Sequence, residues 1–189
     1  MEKFSDLTSF YVIGISYREA DLYTRGRFSL SKEQRLTILD KAKTLKIKEI
    51  FISSTCNRTE ICAIVNNPSI LIDLLCENSN GDLKTFENLG YVLNNSEAVN
   101  HIFKVGTGLD SQILGDFEII GQLKSSVNQS KQRNLIGNFT ERLMNCVIQA
   151  SKRIKTETKI SSGATSMAYA AVQFIINEID EVSNKNLLL

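Results

Sequence analysis

Four short apolar runs in the first half of the chain predict β-strands. They span residues 10–15, 49–53, 60–65 and 91–93, and their β-branched and aromatic residues are typical of buried strands. Only residues 54–59 separate the second run from the third, so we expect these two strands to be antiparallel neighbours.

Apolar residues at helical spacing lie between those strands. After a predicted loop at 23–27, Ser31 and Gln34 have the residue types and the spacing of a capping box. Pro68 suits the first turn of a second helix. The apolar positions of the two helices are Leu36, Leu39, Ala42 and Leu45, then Ile70, Leu71, Leu74 and Leu75. The order βαββαβ predicts a ferredoxin-like split βαβ arrangement.

From Ser96 onward the pattern is helical. We predict helices to Val105 and over about 112–133, 138–158 and 162–182, with a flexible, polar segment at 106–111. The inward side chains of the second of these helices are expected to be Ile113, Leu114, Ile119, Ile120 and Leu123.

The predicted fold class is therefore α+β, with a ferredoxin-like subdomain followed by a helical region. The βαββαβ part covers about 8–95 and the helical part about 96–158, together one domain over 1–158. Residues 159–189 are predicted to form a linker helix and then, at Leu187–Leu189, the start of a buried strand. We expect that strand to lead into a further domain that this chain lacks.

Composition and charge narrow the function classes only slightly. The chain has 189 residues, and 22 Lys+Arg against 21 Asp+Glu give a net charge of +1, which argues against a nucleic-acid binder that works by bulk attraction. No apolar run is long enough to cross a membrane and no signal peptide is visible, so we expect a cytoplasmic protein. The four cysteines form no close CxxC pair, and we expect no metal site.

The segment between the second and third strands carries the candidate chemistry. Cys56 falls at the turn and is expected to be partly exposed, whereas Cys62 and Cys146 fall inside predicted elements. A thiolate is the attacking form of cysteine, and the cation of Arg58 favours it or grips a substrate carboxylate. Thr55 and Asn57 supply donors that either orient a substrate carbonyl or hold the turn. A single cysteine in a turn is more often inert than catalytic, so spacing alone leaves both interpretations open.

Three blocks of sequence resemble the glutamyl-tRNA reductase family, in the family's order and over nearly the whole chain. Residues 54–60, Ser-Thr-Cys-Asn-Arg-Thr-Glu, are similar to the segment that bears the family's nucleophile. The second block is His101 to Ser111, followed by Gly115 and by Gly121 with Gln122. The third runs from Lys155 to Ala171.

The resemblance implies NADPH-dependent reduction of glutamyl-tRNA to glutamate-1-semialdehyde, which opens tetrapyrrole (heme) synthesis. Cys56 would form a thioester, Arg58 would bind the γ-carboxylate, and His101 would donate a proton or polarise the carbonyl. The contacts to the glutamyl group would come from Thr55, Asn57, Ser111, Glu118 and Gln122.

NADPH would be bound by the domain that this chain lacks. The implied partners are glutamyl-tRNA, glutamate-1-semialdehyde aminomutase and, for the full-length protein, a second copy of itself.

Two departures from the family pattern bear on the site. Tyr17 stands where the family usually has histidine, and Asp116-Phe117-Glu118 replaces the common Glu-Pro-Gln. A carboxylate at Glu118 would repel the carboxylate of the substrate unless it is turned away or paired.

Other functions are compatible with parts of the pattern. A non-catalytic RNA-binding module of ferredoxin-like fold would use exposed strand aromatics, for which the candidates are Phe10, Tyr11 and Phe51. Another cysteine-dependent acyl-transfer enzyme would need Cys56 paired with His101, the only histidine. A purely structural subunit would leave the Cys56–Arg58 turn unexplained.

Overall fold

The computed structural model describes residues 9–158, 160 and 167–179. Its strands are β1 (Phe10–Ser16), β2 (Ile50–Ser54), β3 (Arg58–Ile64) and β4 (Tyr91–Asn94). The helices that follow β1 and β3 are α1 (Leu22–Phe28), α2 (Lys32–Thr44), α3 (Ser69–Asn78) and α4 (Leu83–Leu89). The remaining described helices are α5 (Asn95–Gly106), α6 (Glu118–Lys131), α7 (Asn138–Glu157) and α8 (Met167–Glu178).

The four strands form one sheet in the order β2-β3-β1-β4, and every neighbouring pair is antiparallel. This is the pairing that the split βαβ arrangement requires, so the predicted α+β fold is confirmed. Ser16 lies opposite Arg58 and Gly14 lies opposite Glu60, and this register brings the polar end of β3 beside the end of β1.

Both faces of the sheet are covered by helices. On one face Ile13, Ile52 and Ile61 pack against the buried side chains of α1 to α4. On the other, Phe10 and Phe51 pack against those of α5 to α7. Because these two aromatics are at most 1% exposed, they offer no surface for bases, as the RNA-binding alternative would need.

Two short helices were not predicted. Residues 23–27 belong to α1, whose N-cap Asp21 accepts a hydrogen bond from Thr24 N at 2.7 Å. Helix α4 was missed altogether. Each helix buries one aromatic, Phe28 or Phe86, and the two rings lie 6.2 Å apart. Around its single anchor α1 has no apolar stripe, so helical periodicity could not reveal it. Helix α4 has Leu83, Phe86 and Leu89 at helical spacing, and this short stripe was overlooked.

The longer helices agree with the pattern, with corrections at their edges. The capping box of Ser31 and Gln34 is present. Leu45 is 52% exposed, however, because the chain leaves the helix there, and Ile38 is buried in its place. Helix α6 begins at Glu118 rather than near 112, so Leu114 lies on an exposed turn.

The C-terminal predictions are tested only in part. Helix α8 falls inside the predicted 162–182 helix, and the predicted strand at Leu187–Leu189 lies outside the described residues. Among the helices that the structure describes, none is both long and apolar enough to cross a membrane.

Candidate active site

The hairpin between β2 and β3 presents Cys56 at its tip. Thr55 N donates to Arg58 O at 2.8 Å and closes the turn. Thr55 Oγ1 accepts hydrogen bonds from Asn57 N and Arg58 N, both at 3.2 Å, so this hydroxyl holds the turn. Thr55 therefore holds the turn, and it also lines the pocket described below, while the Cys56 side chain is exposed.

The Arg58 guanidinium is buried directly behind the tip. Its Nη1 donates to Glu60 Oε1 at 3.2 Å and to Asp110 Oδ2 at 3.1 Å, and its Nη2 donates to the Asp110 carbonyl. The guanidinium carbon lies 5.9 Å from the centre of the Tyr17 ring. The residue that replaces the family's histidine therefore makes a cation–π contact with Arg58.

Glu60 is the centre of a buried side-chain network. Its Oε1 lies 2.6 Å from His101 Nε2 and accepts a hydrogen bond from the Tyr91 hydroxyl at 2.5 Å. Burial alone would raise the pKa of the Glu60 carboxyl. The hydrogen bond and charge of His101, followed by the charge of Arg58 and the Tyr91 hydroxyl, outweigh burial and lower that pKa to about 2.

The segment after α5 folds Asp110 back onto the hairpin. Gly108 and Gly115 have φ of +74° and +81°, a left-handed conformation that side chains rarely adopt, and Gly115 N donates to Gly108 O at 3.0 Å. Asp110 is buried and bonded to Arg58 and to Arg18, whose Nε lies 2.6 Å from Oδ1. Burial would raise the pKa of Asp110, but the positive charges of Arg58 and Arg18 lower it.

One pocket brings most of the predicted site residues together. Its lining is Thr55, Cys56, Asn57, Arg58, Asp110, Ser111, Ile113, Asp116, Glu118, Ile119 and Gln122. Seven of the eight predicted site residues are in this set; His101 is the exception. Its ring lies behind Arg58 and Asp110, with Nδ1 3.9 Å from Asp110 Oδ2.

The other thiols differ from Cys56. Cys62 is fully buried in the sheet, and burial raises the pKa of its thiol well above the ordinary value. Cys146 is exposed on α7, contrary to the prediction, because it lies on the outer face of that helix. Exposure alone therefore does not single out Cys56; its position in the pocket does.

Several residues of the site were missed by the sequence analysis. Glu60 gave a usable signal, since a carboxylate within an otherwise apolar strand has to be paired. Asp110 precedes Ser111 in the second resembling block but was not singled out. Tyr91 was assigned only to the fourth strand, and nothing local to its sequence indicates its bond to Glu60.

A resident metal ion finds no support in the described part of the chain, where no group of three or more His, Cys, Asp or Glu side chains could hold one.

Comparison with known proteins agrees with this geometry. The family described as Glutamyl-tRNAGlu reductase, N-terminal domain, matches residues 13–158. The chain is 54% identical to glutamyl-tRNA reductase 2 of Flavobacterium johnsoniae, over 96% of the chain and 42% of that protein. It is 56% identical to glutamyl-tRNA reductase of Christiangramia forsetii, over 95% of the chain and 43% of that protein.

A solved structure has the same fold. The structure of glutamyl-tRNA reductase from Methanopyrus kandleri superposes with a TM-score of 0.72 at 25% identity, covering 91% of this chain and 40% of that one. The chain thus spans less than half of the length of the relatives that it matches. The chain belongs to the glutamyl-tRNA reductase family, and it corresponds to the N-terminal domain of that family.

Proposed function

We propose that this chain accepts the glutamyl group of glutamyl-tRNA on Cys56, as the first half of a reduction to glutamate-1-semialdehyde that opens tetrapyrrole synthesis. One observation carries the proposal. The exposed thiol at the hairpin tip lines the same pocket as Arg58, Ser111 and Gln122, in a chain of this family. If the Cys56 turn had only a structural role, its thiol would not need to line a pocket of polar side chains.

The acyl transfer balances without any further reactant. The Cys56 thiol loses its proton to solvent, and the thiolate attacks the carbonyl carbon of the ester that joins glutamate to the tRNA. A carbon–sulfur bond forms, the ester carbon–oxygen bond breaks, and the terminal ribose oxygen leaves and takes up a proton. A glutamyl thioester on Cys56 remains.

Arg58 is the proposed partner of the γ-carboxylate. Its bonds to Glu60 and Asp110 use both Nη1 hydrogens and one Nη2 hydrogen. The Nε–H and the other Nη2–H have no hydrogen-bond partner among the described residues. A carboxylate takes two such parallel bonds, whereas the amide of glutamine would present hydrogens to one of them. Because Glu60 and Asp110 fix the guanidinium, its orientation is set before the substrate arrives.

Two further acidic side chains line the pocket. Asp116 and Glu118 both line it, and Asp116 Oδ1 accepts from Glu118 N at 2.9 Å. The glutamyl group carries an α-ammonium as well as a γ-carboxylate. We propose that these acids face the ammonium, which removes the repulsion expected if Glu118 met the carboxylate. Asn57, Ser111 and Gln122 are proposed as hydrogen-bonding contacts to the glutamyl group, while Thr55 fixes the turn that presents it.

His101 is proposed to act from behind the pocket wall. The structure places it on Glu60 and away from the pocket lining, and no hydrogen bond joins it to the Cys56 thiol within the described residues. A thiol–imidazole pair, which another cysteine-dependent acyl-transfer enzyme would need, is therefore not favoured by this geometry. A proton from His101 would have to reach the substrate through the groups that cover it.

The hydride step is not assigned to the described residues. NADPH, when bound, would supply the hydride that converts the thioester into the aldehyde. All neighbouring strands of the described sheet are antiparallel, and no glycine-rich turn joins a strand to a helix as in dinucleotide-binding folds, so these residues do not fit the cofactor. Glutamate-1-semialdehyde aminomutase and a second copy of the full-length protein remain proposed partners on the family resemblance alone.

Intact mass spectrometry tests the acyl transfer. The chain is mixed with glutamyl-tRNA, the mass is measured, and a digest locates any adduct. We expect one glutamyl group on Cys56 and none in Cys56→Ser. Cys146→Ser is the matched control because it removes another exposed thiol, and it should be acylated like the parent. We also expect the chain to form no aldehyde when NADPH is added.

An adduct on Cys146 instead of Cys56, or no adduct on a folded chain, would contradict the nucleophile assignment. Formation of aldehyde by this chain with NADPH would contradict the placement of the hydride step elsewhere.

A further inference from the structure

The face of α1 beside the hairpin tip is exposed although it carries large side chains. Tyr23 and Leu22 are 78% and 71% exposed. Exposed large side chains on a short helix add nothing to the core, which α1 reaches through Phe28. Because Leu22 and Tyr23 are adjacent, they form one contiguous exposed apolar surface, which is the kind of surface that marks a contact site.

Arg25 ties this face to the loop that bears the nucleophile. Its Nε donates to the carbonyl of Cys56 at 3.2 Å, and its Nη1 donates to the carbonyl of Ala20 at 2.6 Å. Arg18 and Arg27, in contrast, form ion pairs with Asp110 and Asp82. Among the described residues Arg25 forms no ion pair within 4.0 Å; its charge lowers the pKa of the exposed Asp21 carboxyl only as the weakest of several causes. Its charge is therefore available to an anion that lies near the thiol.

Gly26 makes the middle of the face flat. A Cβ at this position would meet no atom within 4 Å, so packing does not explain a glycine inside the helix. Glycine weakens a helix, and no neighbouring atom requires a glycine here. The remaining explanation is that another molecule approaches the backbone closely at Gly26.

The four residues form a continuous strip around the exposed side of α1. At about 100° per residue, Arg25, Leu22, Gly26 and Tyr23 follow one another across the exposed side. Arg25 is the edge next to Cys56, and Tyr23 is the far edge. The pocket is built by the hairpin and residues 110–122, while α1 packs beneath the opposite face of the sheet. The hairpin tip joins the two sides, since Cys56 lines the pocket and its carbonyl accepts a hydrogen bond from Arg25 of α1. A nucleotide attached to a glutamyl group in the pocket can therefore reach α1 across this tip.

We propose that the exposed face of α1, made of Leu22, Tyr23, Arg25 and Gly26, binds the unpaired 3′ end of the tRNA. The proposal rests on the proposed function, since it places the leaving group of that reaction. Arg25 meets a phosphate near the reacting ester, Leu22 and the bare backbone at Gly26 lie under the chain, and Tyr23 stacks on a base. Stacking on an aromatic together with phosphate contacts is the general way in which single-stranded nucleic acids are held. Binding by stacking and one phosphate contact does not need a large positive charge, so it is compatible with a net charge of +1.

Binding of uncharged tRNA tests this surface without any chemistry. The probes are intact tRNA for glutamate and the same tRNA trimmed of its unpaired 3′ nucleotides, with Kd measured by fluorescence anisotropy. Tyr23→Ala should weaken binding of the intact tRNA by roughly 5- to 50-fold and bring it to the affinity of the trimmed tRNA. Arg25→Gln should lower the slope of log Kd against log salt by about one. Gly26→Ala should raise thermal stability and still weaken binding, and Gly26→Glu should weaken it further.

The matched controls are Leu45→Ala and Arg142→Gln. They change an exposed leucine and an exposed arginine at the end of the sheet away from the hairpin tip, where Leu45 lies near Ile64 and Arg142 follows Thr140, which bonds to Glu49. Both should bind like the parent. If the α1 variants bound intact tRNA like the parent, if trimming had no effect, or if the chain bound no tRNA at all, the proposal would be overturned. Variants that bind tRNA like the parent but bind a partner protein more weakly would overturn the proposal as well.

The two proposals can fail separately. If Cys56 forms no adduct but trimming and the α1 variants still weaken binding, the acyl transfer is wrong and the surface assignment stands. If the adduct forms and the α1 variants bind normally, only the surface assignment is wrong.

Discussion

Two buried glutamates at opposite ends of the sheet show how a structural acid differs from one that serves a site. Glu49 precedes β2, and its Oε2 accepts a hydrogen bond from Thr140 N at 2.9 Å in the first turn of α7. Glu60 lies in β3, and its Oε1 is shared by His101, Tyr91 and Arg58. One acid is satisfied by a backbone amide and a helix N-terminus, the other by three side chains from three places in the chain.

The difference has a physical meaning. A backbone amide is fixed by its helix, so Glu49 joins β2 to α7 and does nothing more. The partners of Glu60 reach further, because Arg58 also lines the pocket and is bonded to Asp110. Glu60 Oε2 is moreover buried without a hydrogen-bond partner among the described residues. Such an unsatisfied oxygen lowers stability, and it is tolerated where the geometry of a site requires the carboxylate.

The largest expected effect comes from removing the cation of the Glu60 network. Arg58→Met keeps the length of the side chain but leaves Glu60 and Asp110 buried without their common partner. We expect a loss of about 3–5 kcal/mol in the free energy of unfolding, because breaking a buried pair leaves uncompensated charge. Urea denaturation measures this change, provided that the m-value is unaltered.

Arg153→Met is the comparison for Arg58→Met, since Arg153 pairs with Glu157 at 3.0 Å and both side chains are exposed. It should lower the free energy of unfolding far less than Arg58→Met does, because an exposed ion pair contributes little. Equal losses in the two variants would show that the network at Glu60 is no different from a surface ion pair.

A smaller effect is expected in acid. The folded-state pKa of Glu60 is depressed from 4.5 to about 2, so its stabilising contribution is complete above about pH 4.5 and is lost as the pH falls through 2. The size is on the order of 3 kcal/mol. Because Glu60→Gln cannot titrate, its stability should fall less steeply than that of the parent between pH 5 and pH 2.

Asp110, whose pKa is also lowered, stays in both proteins and adds an acid-dependent slope to each series. The difference between the two denaturation series therefore reports on Glu60 and the groups that share its charge. Parallel curves would mean that the carboxylate of Glu60 is not held in its charged form by His101, Arg58 and Tyr91.

The comparison also shows what the sequence could predict. The strands, their antiparallel order and the capping box at Ser31 follow from local patterns, and they were confirmed. Helix α4 could have been predicted from Asp82 and the spacing of Leu83, Phe86 and Leu89. Helix α1 could not, because its one buried aromatic, Phe28, packs on the distant Phe86 ring. Local periodicity carries no information about such a contact.

The candidate site likewise has a part that local sequence could predict and a part that it could not. Residues 54–60 are contiguous, and Thr55 supplies the hydrogen bonds within the turn that presents Cys56, so the sequence could indicate it. The partners of the hairpin are distant along the chain. Asp110 lies 52 residues from Arg58 and His101 lies 41 residues from Glu60. Their positions depend on the left-handed glycines at 108 and 115 and on the packing of α5, which only the folded chain shows.

The smallest effect is expected at Glu49, and it completes the comparison. Glu49→Gln keeps an oxygen that accepts from Thr140 N, and it loses only the negative charge near the N-terminus of α7. A charge in that position is worth about 0.3–1 kcal/mol, so urea denaturation should show a loss of that size. The rate of glutamyl adduct formation on Cys56, measured by intact mass, should equal that of the parent. Glu60→Gln should slow the same reaction, because it releases Arg58 and His101 from their common carboxylate. If both variants slowed acylation equally, the two buried acids would differ only in their partners and not in their relation to the site.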